Sequence, residues 1–287
     1  MKISRFHLCA AALALAGCGG GSGGAAGTLS LGITDAPVDG ASDVVVEISG
    51  VEVHGPGGSS SFDFAPRPVH LLALTGGASD ALLDQVTLPA GHYDWLRLKV
   101  NAANSYVVAS AGGTFPIRIP SGAQTGLKVV RGFTVPAGGH ADFTIDFDLR
   151  RSLVDTHGSA YTLKPVLRMV DNVQVGTVAG TVDLGNYGCA AGGDAVYVYA
   201  GRDVAPTDIN TTLAGSGPVQ VAPVTGPDAG GSYGYRAAFL AAGDYTVALT
   251  CQAEQDNPET TEAITFLEQH NVTVTAGQET RQGFPSP

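Results

Sequence analysis

Several groups of residues have types and spacings that chemistry could use. Gly230-Gly231-Ser232-Tyr233-Gly234 fits Gly-x-Ser-x-Gly, the nucleophile elbow that lifts a reactive serine on a sharp strand-to-helix turn. A Pro-Asp-Ala turn precedes it and a β pattern follows, so Ser232 is expected to be inert. Asp35, Asp39 and Asp43 recur at four-residue intervals around a turn, and carboxylates converging in a loop suit a hard cation such as Ca2+. The same spacing suits turn-forming residues, with Asp35 bonding its own backbone. Asp146 and Asp148 share a strand face ahead of Arg150 and Arg151, which reads as an ion-paired strand end in preference to an acid/base pair. Tyr197 and Tyr199, like Tyr233 and Tyr235, occupy alternate positions and therefore common faces. Exposed, such rings would stack a sugar or anchor a protein; covered, they would pack on a neighbouring domain or a sandwich rim. The seven histidines are scattered singly, and no zinc, phosphate-loop or calcium-loop signature is present.

The elements that must carry these residues are strands. Forty glycines and sixteen prolines punctuate short runs with period-two alternation. Leu29, Leu31 and Ile33 share one face, as do Val44, Val46 and Ile48, and the phase reverses after Gly50 as a bulge would require. Gly55 to Ser61 reads as a hairpin tip, and Pro165 marks an edge or bulged strand. Ala78 to Gln85 is the one stretch expected to form a short helix. The stretch Leu88-Pro89-Ala90-Gly91-His92-Tyr93 returns as Leu240-Ala241-Ala242-Gly243-Asp244-Tyr245, and Val135-Pro136-Ala137-Gly138 returns as Val274-Thr275-Ala276-Gly277. Two similar units in tandem explain the echo economically, convergent turn chemistry being the alternative. The predicted architecture is all-β, with one β-sandwich over 28–173 and a second over 174–287. A formal charge of −11 argues against nucleic acid as a partner.

Ahead of these units, Lys2 and Arg5 precede an apolar run from Phe6 to Leu15 and then Leu15-Ala16-Gly17-Cys18, the layout of an export signal. It resembles a bacterial lipoprotein signal. That resemblance implies cleavage after residue 17, acylation of Cys18, and a membrane-held envelope protein. In enterobacterial lipoproteins the residue after the acylated cysteine biases sorting, so the resemblance, with Gly19 rather than Asp at that place, implies the outer membrane. Residues 18–27 then read as an acylated cysteine on a flexible Gly/Ser leash. With Cys9 removed and Cys18 acylated, Cys189 and Cys251 remain as a disulfide pair for an oxidising compartment, two free buried thiols being the alternative.

Residues from about 28 to 172 resemble the bacterial domain family of unknown function DUF4382. The carriers are Gly32-Ile33-Thr34-Asp35-Ala36-Pro37-Val38-Asp39, Ala90-Gly91-His92-Tyr93, Asp146-Phe147-Asp148 before Ser152-Leu153-Val154, and Leu163-Lys164-Pro165-Val166-Leu167. The family has no assigned activity, and its members are typically exported lipoproteins. The remainder, from 174, is similar to prealbumin-like and carboxypeptidase-regulatory-like, broadly Ig-like, sandwiches, which implies a fold and no function. The expected function is a non-enzymatic envelope lipoprotein that binds or supports. Glycan binding through the tyrosine face is the alternative, and a hydrolase using carboxylates of the first unit is the lesser one. No cofactor is expected beyond Ca2+ at the aspartate triplet, and the partners would be membrane, glycan or envelope protein.

Overall fold

The computed structural model describes residues 24–36, 38, 40–120, 126–155, 160–189, 193–210 and 217–285. Cys18 and the leader lie outside the described residues, as does Asp39. The first unit contains β1 (Ala26–Ala36), β2 (Ala41–Gly55), β3 (Gly58–His70), β4 (Asp80–Pro89), β5 (Gly91–Tyr93), β6 (Trp95–Ala109) and β7 (Thr114–Arg118). It continues through β8 (Leu127–Val129), β9 (Phe133–Val135), β10 (His140–Asp148), the helical turn α1 (Leu149–Ser152), β11 (Leu153–Asp155), β12 (Tyr161–Leu163) and β13 (Leu167–Asp171). The second unit has β14 (Val175–Val182), the turn α2 (Leu184–Tyr187), β15 (Ala195–Ala200), β16 (Gln220–Pro223), β17 (Tyr233–Ala241), β18 (Gly243–Thr250), β19 (Glu268–Val274) and β20 (Glu279–Arg281).

Strands up to β13 pair among themselves, as do those from β14 onward. In the first unit a sheet ordered β13-β10-β1-β4 faces a longer one, β11-β12-β7-β6-β2-β3, with β8 added along β6. Leu29, Leu31 and Ile33 from one sheet and Val44, Val46 and Ile48 from the other meet in a common core, as their alternation requires. The register slips between Ile48 and Gly50 on both sides of β2, which is the bulge that the phase reversal predicts. The hairpin tip is a two-residue turn, with Gly55 paired to Gly58. Pro165 lies between β12 and β13, which belong to different sheets, so the missing donor falls where the chain crosses over.

The helix expected at Ala78–Gln85 does not form; Asp80–Pro89 is β4, hydrogen-bonded to β1. Gln85 has φ 46°, and the register slips twice opposite Leu31. These irregularities break the two-residue period, and a broken period imitates a helical one.

The two units repeat one arrangement. β1 lies between antiparallel β4 and parallel β10; β14 lies between antiparallel β17 and parallel β20. Gly27 and Gly176 occupy matching places: a Cβ on either would come within 2.2 or 2.3 Å of a carbonyl oxygen, of Pro136 and Thr275 respectively. Gly138 donates to Ala26 at 2.7 Å, and Gly277 donates to Val175 at 2.8 Å. In both echoed segments a glycine with positive φ, Gly91 or Gly243, turns the chain. The tyrosine two residues later then folds back, Tyr93 donating to Pro89 O and Tyr245 to Ala241 O, each at 2.8 Å.

Candidate functional site

The residues nominated for chemistry converge in part, at the contact between the units. β1 and β10 run parallel and bring Asp35 opposite Phe147 and Thr34 opposite Asp146. Asp35 is buried and accepts Leu149 N–H at 3.3 Å, so it fixes the start of α1. Asp148 caps the same turn by accepting Arg151 N–H at 3.1 Å. Burial pushes the Asp148 carboxyl above its ordinary range; the nearby Arg151 opposes this and Asp146 adds to it. Asp146 is held by Arg168, whose Nη2 and Nε lie 2.5 and 3.1 Å from one carboxylate oxygen. This is the ion-paired strand end that the sequence suggested, with Arg168 as the partner that spacing did not reveal.

Arg150 and Arg151 instead reach across to the second unit. Arg150 is 6% exposed and donates through Nη1 to Ala253 O at 2.8 Å. Arg151 donates to Pro218 O while its Nε lies 3.5 Å from Asp148. The narrow cleft between the units is lined by Asp148, Arg150, Arg151, Ile209, Pro218, Gln220 and Val221. Lys164 and Glu259 add an exposed ion pair across the same contact.

On the far side of that contact lie Tyr197 and Tyr199. The exposed platform considered for these rings is not what the structure shows: Tyr197 is 0%, Tyr199 2% and Tyr235 4% exposed, and Tyr233 is half-buried. β15 is buried on both faces. Val196 and Val198 face the core between the two sheets, while Tyr197 and Tyr199 enter a second small core with Ile209, Val221, Ala248 and Ala253, edged by Phe266. Loop segments without strand periodicity supply that cover, so alternation in β15 could not announce it. Tyr197 donates to Asp256 Oδ2 at 2.6 Å and Tyr199 to Thr207 O at 2.5 Å. Burial drives both phenols well above their usual range, and Tyr235 likewise.

Asp256 is the residue that sequence reasoning missed. It accepts Tyr197 O–H and Ile209 N–H, and burial raises its pKa above the ordinary carboxylate value. Asp208, Asp256 and Glu262 bring ligand atoms within 4.8 Å of one another. Their oxygens already serve local donors: Asp208 takes Glu262 N–H, and Glu262 takes Asn257 N–H and Thr260 O–H. The other aspartates turn to separate tasks, since Asp43 meets His70 Nδ1 at 2.8 Å while Asp35 serves α1. Ser232 is exposed on a turn organised by Asp228, whose Oδ1 accepts the N–H groups of Gly230 and Ser232 at 2.8 Å; a strand follows, not a helix. Cys189 and Cys251 form a disulfide with Cα atoms 5.7 Å apart.

The family model described as a domain of unknown function, DUF4382, matches residues 26–165. No curated protein matches the chain. Among solved structures, a leucine-rich repeat protein from Bacteroides thetaiotaomicron shares 15% identity at a TM-score of 0.21, covering 91% of this chain and 26% of that one. The Bacillus anthracis TIE protein shares 14% identity at 0.20, covering 90% of this chain and 33% of that one. The minor pilin GBS52 of Streptococcus agalactiae shares 11% identity at 0.20, covering 90% and 97%. The chain thus spans about a quarter to a third of the first two structures, and at such TM-scores none of the three bears on fold or function.

Proposed function

With residues 26–165 forming a DUF4382 domain, we propose that the protein is a non-catalytic structural or binding module of the bacterial cell envelope, tethered to a membrane, the outer one, through acylated Cys18. The observation that carries the non-catalytic part is the use made of the reactive-looking groups. Asp146, Asp148, Arg150 and Arg151 are spent on capping α1, pairing with Arg168 and joining the two units. A glycoside hydrolase working through carboxylates would need two of them converging on an open pocket. The buried rings of Tyr197 and Tyr199 likewise offer no stacking platform for a glycan.

The repeated strand arrangement supports reading 28–173 and 174–287 as two sandwiches of one prealbumin-like kind. Their contact runs through the polar bonds of Arg150 and Arg151 and the Lys164–Glu259 ion pair. The Cys189–Cys251 bridge agrees with an oxidising compartment outside the cytoplasm. Replacing Cys18 by Ala tests the tether: the variant should leave the acylated membrane pool on detergent phase partitioning, whereas unchanged partitioning would refute acylation at that residue.

A further inference from the structure

The end of the first unit at which the chain enters carries a surface that the fold leaves unused. Ala25 O takes Ala90 N–H at 2.7 Å, and the 55–58 hairpin and the 136–139 turn close the same end. The contacts with the second unit through Arg150 and Arg151 lie at the other end of β1, beyond Asp35. Beside the chain's point of entry β6 starts at Trp95, paired with His54 on one flank. On the other flank Leu96 faces Val129 and Arg97 faces Lys128, a register whose continuation puts Val130 next to Trp95. Leu96 and Val129 are buried, so Trp95, Arg97, Lys128 and Val130 share the outer face.

That face is amphipathic. Val130 is 77% exposed, the most exposed large hydrophobic side chain among the described residues. The Arg97 guanidinium and Lys128 ammonium sit 4.7 and 4.5 Å from the half-buried indole of Trp95, against which His54 stacks. The acids of this corner are Glu52, bonded to Arg97 at 3.0 Å, and Asp94, 3.9 Å from His92.

We propose that this corner seats on the phosphate-bearing surface of a lipid bilayer. Trp95 and Val130 enter the headgroup region, and Lys128 and Arg97 meet phosphate oxygens. Indole rings favour that depth because one edge is apolar and the N–H is polar, and long cationic side chains reach phosphates from beside it. Without the leader's Lys2 and Arg5 the formal charge falls from −11 to −13, and such a body is repelled by an anionic leaflet unless the end it presents carries cations. The proposal rests on the Cys18 tether. Gly24 is six positions on from Cys18, so at about 3.5 Å per residue the acylated end lies no more than roughly 20 Å from the point where the described chain begins.

Trp95 is the sole tryptophan, so its fluorescence reports on this corner alone. The purified mature protein is reconstituted with phosphatidylethanolamine and phosphatidylglycerol vesicles that include lipids brominated along the acyl chain, and flotation is scored beside emission. Flotation with a blue-shifted emission quenched by bromine supports the proposal. In Lys128→Glu combined with Val130→Asp, the shift and quenching should disappear while flotation and the melting temperature persist. Flotation of the wild type with unshifted, unquenched emission overturns the seating and leaves the tether standing. Failure to float refutes the tether. Excess vesicles then decide the corner separately, since quenching of the unanchored protein upholds it and absence of quenching overturns it.

Discussion

A buried guanidinium is tolerable only when its N–H groups meet acceptors, and Arg150 meets the carbonyl of Ala253 in the other unit. Replacing it by Met keeps the stem and removes the charged donor. Since a hydrogen bond to a charged group contributes about 2 kcal/mol, Arg150→Met should lower stability by about that amount in urea unfolding. An unchanged midpoint would mean that the junction does not depend on this bond. The covered tyrosines give a second test. Burial raises the pKa values of Tyr197, Tyr199 and Tyr235, and raises Tyr187 to about 12. In the unfolded chain a tyrosine ionises near pH 10. The stability these phenols contribute is therefore complete below pH 10 and is lost as pH rises toward their folded values. The buried phenols should ionise together in a cooperative step of tyrosinate absorbance above pH 10, accompanied by loss of near-ultraviolet circular dichroism. A shallow rise centred on pH 10 with the fold intact would contradict the buried placement.

The corner tyrosines act at the scale of the element. Tyr93 and Tyr245, each two residues after a glycine with positive φ, tie the chain to the carbonyl four residues earlier. Tyr93→Phe and Tyr245→Phe should each cost about 1 kcal/mol in a denaturant melt, because each strands a carbonyl without its hydroxyl partner. Equal effects would express the equivalence of the two units; a neutral result at either would break it. These corners were legible in the sequence because the repeated Ala-Gly-x-Tyr carries its own geometry, and the bulge at Gly50 was legible because it reverses an alternating phase. β4 was misread as helical because positive φ at Gln85 and the slips opposite Leu31 disturb its period. The arginine junction and the cover over Tyr197 were not legible at all. They depend on loop segments around Ile209, Pro218, Ala253 and Phe266, brought together by the tertiary fold with no pattern in the sequence.

For the whole molecule, two strand-built units, the second closed by the Cys189–Cys251 bridge, meet through the polar bonds of Arg150 and Arg151, and the proposed tether would hold them from one end. In that reading the tether defines where the molecule works, and the junction arginines join the second unit to the first. The most direct measurement of this account is the intact mass of the native protein extracted from membranes. Acylation at Cys18 predicts a chain that starts at that residue and is heavier than the polypeptide by its acyl groups. A mass that retains residues 1–17, or that shows Cys18 as the first residue with a free thiol, would contradict it.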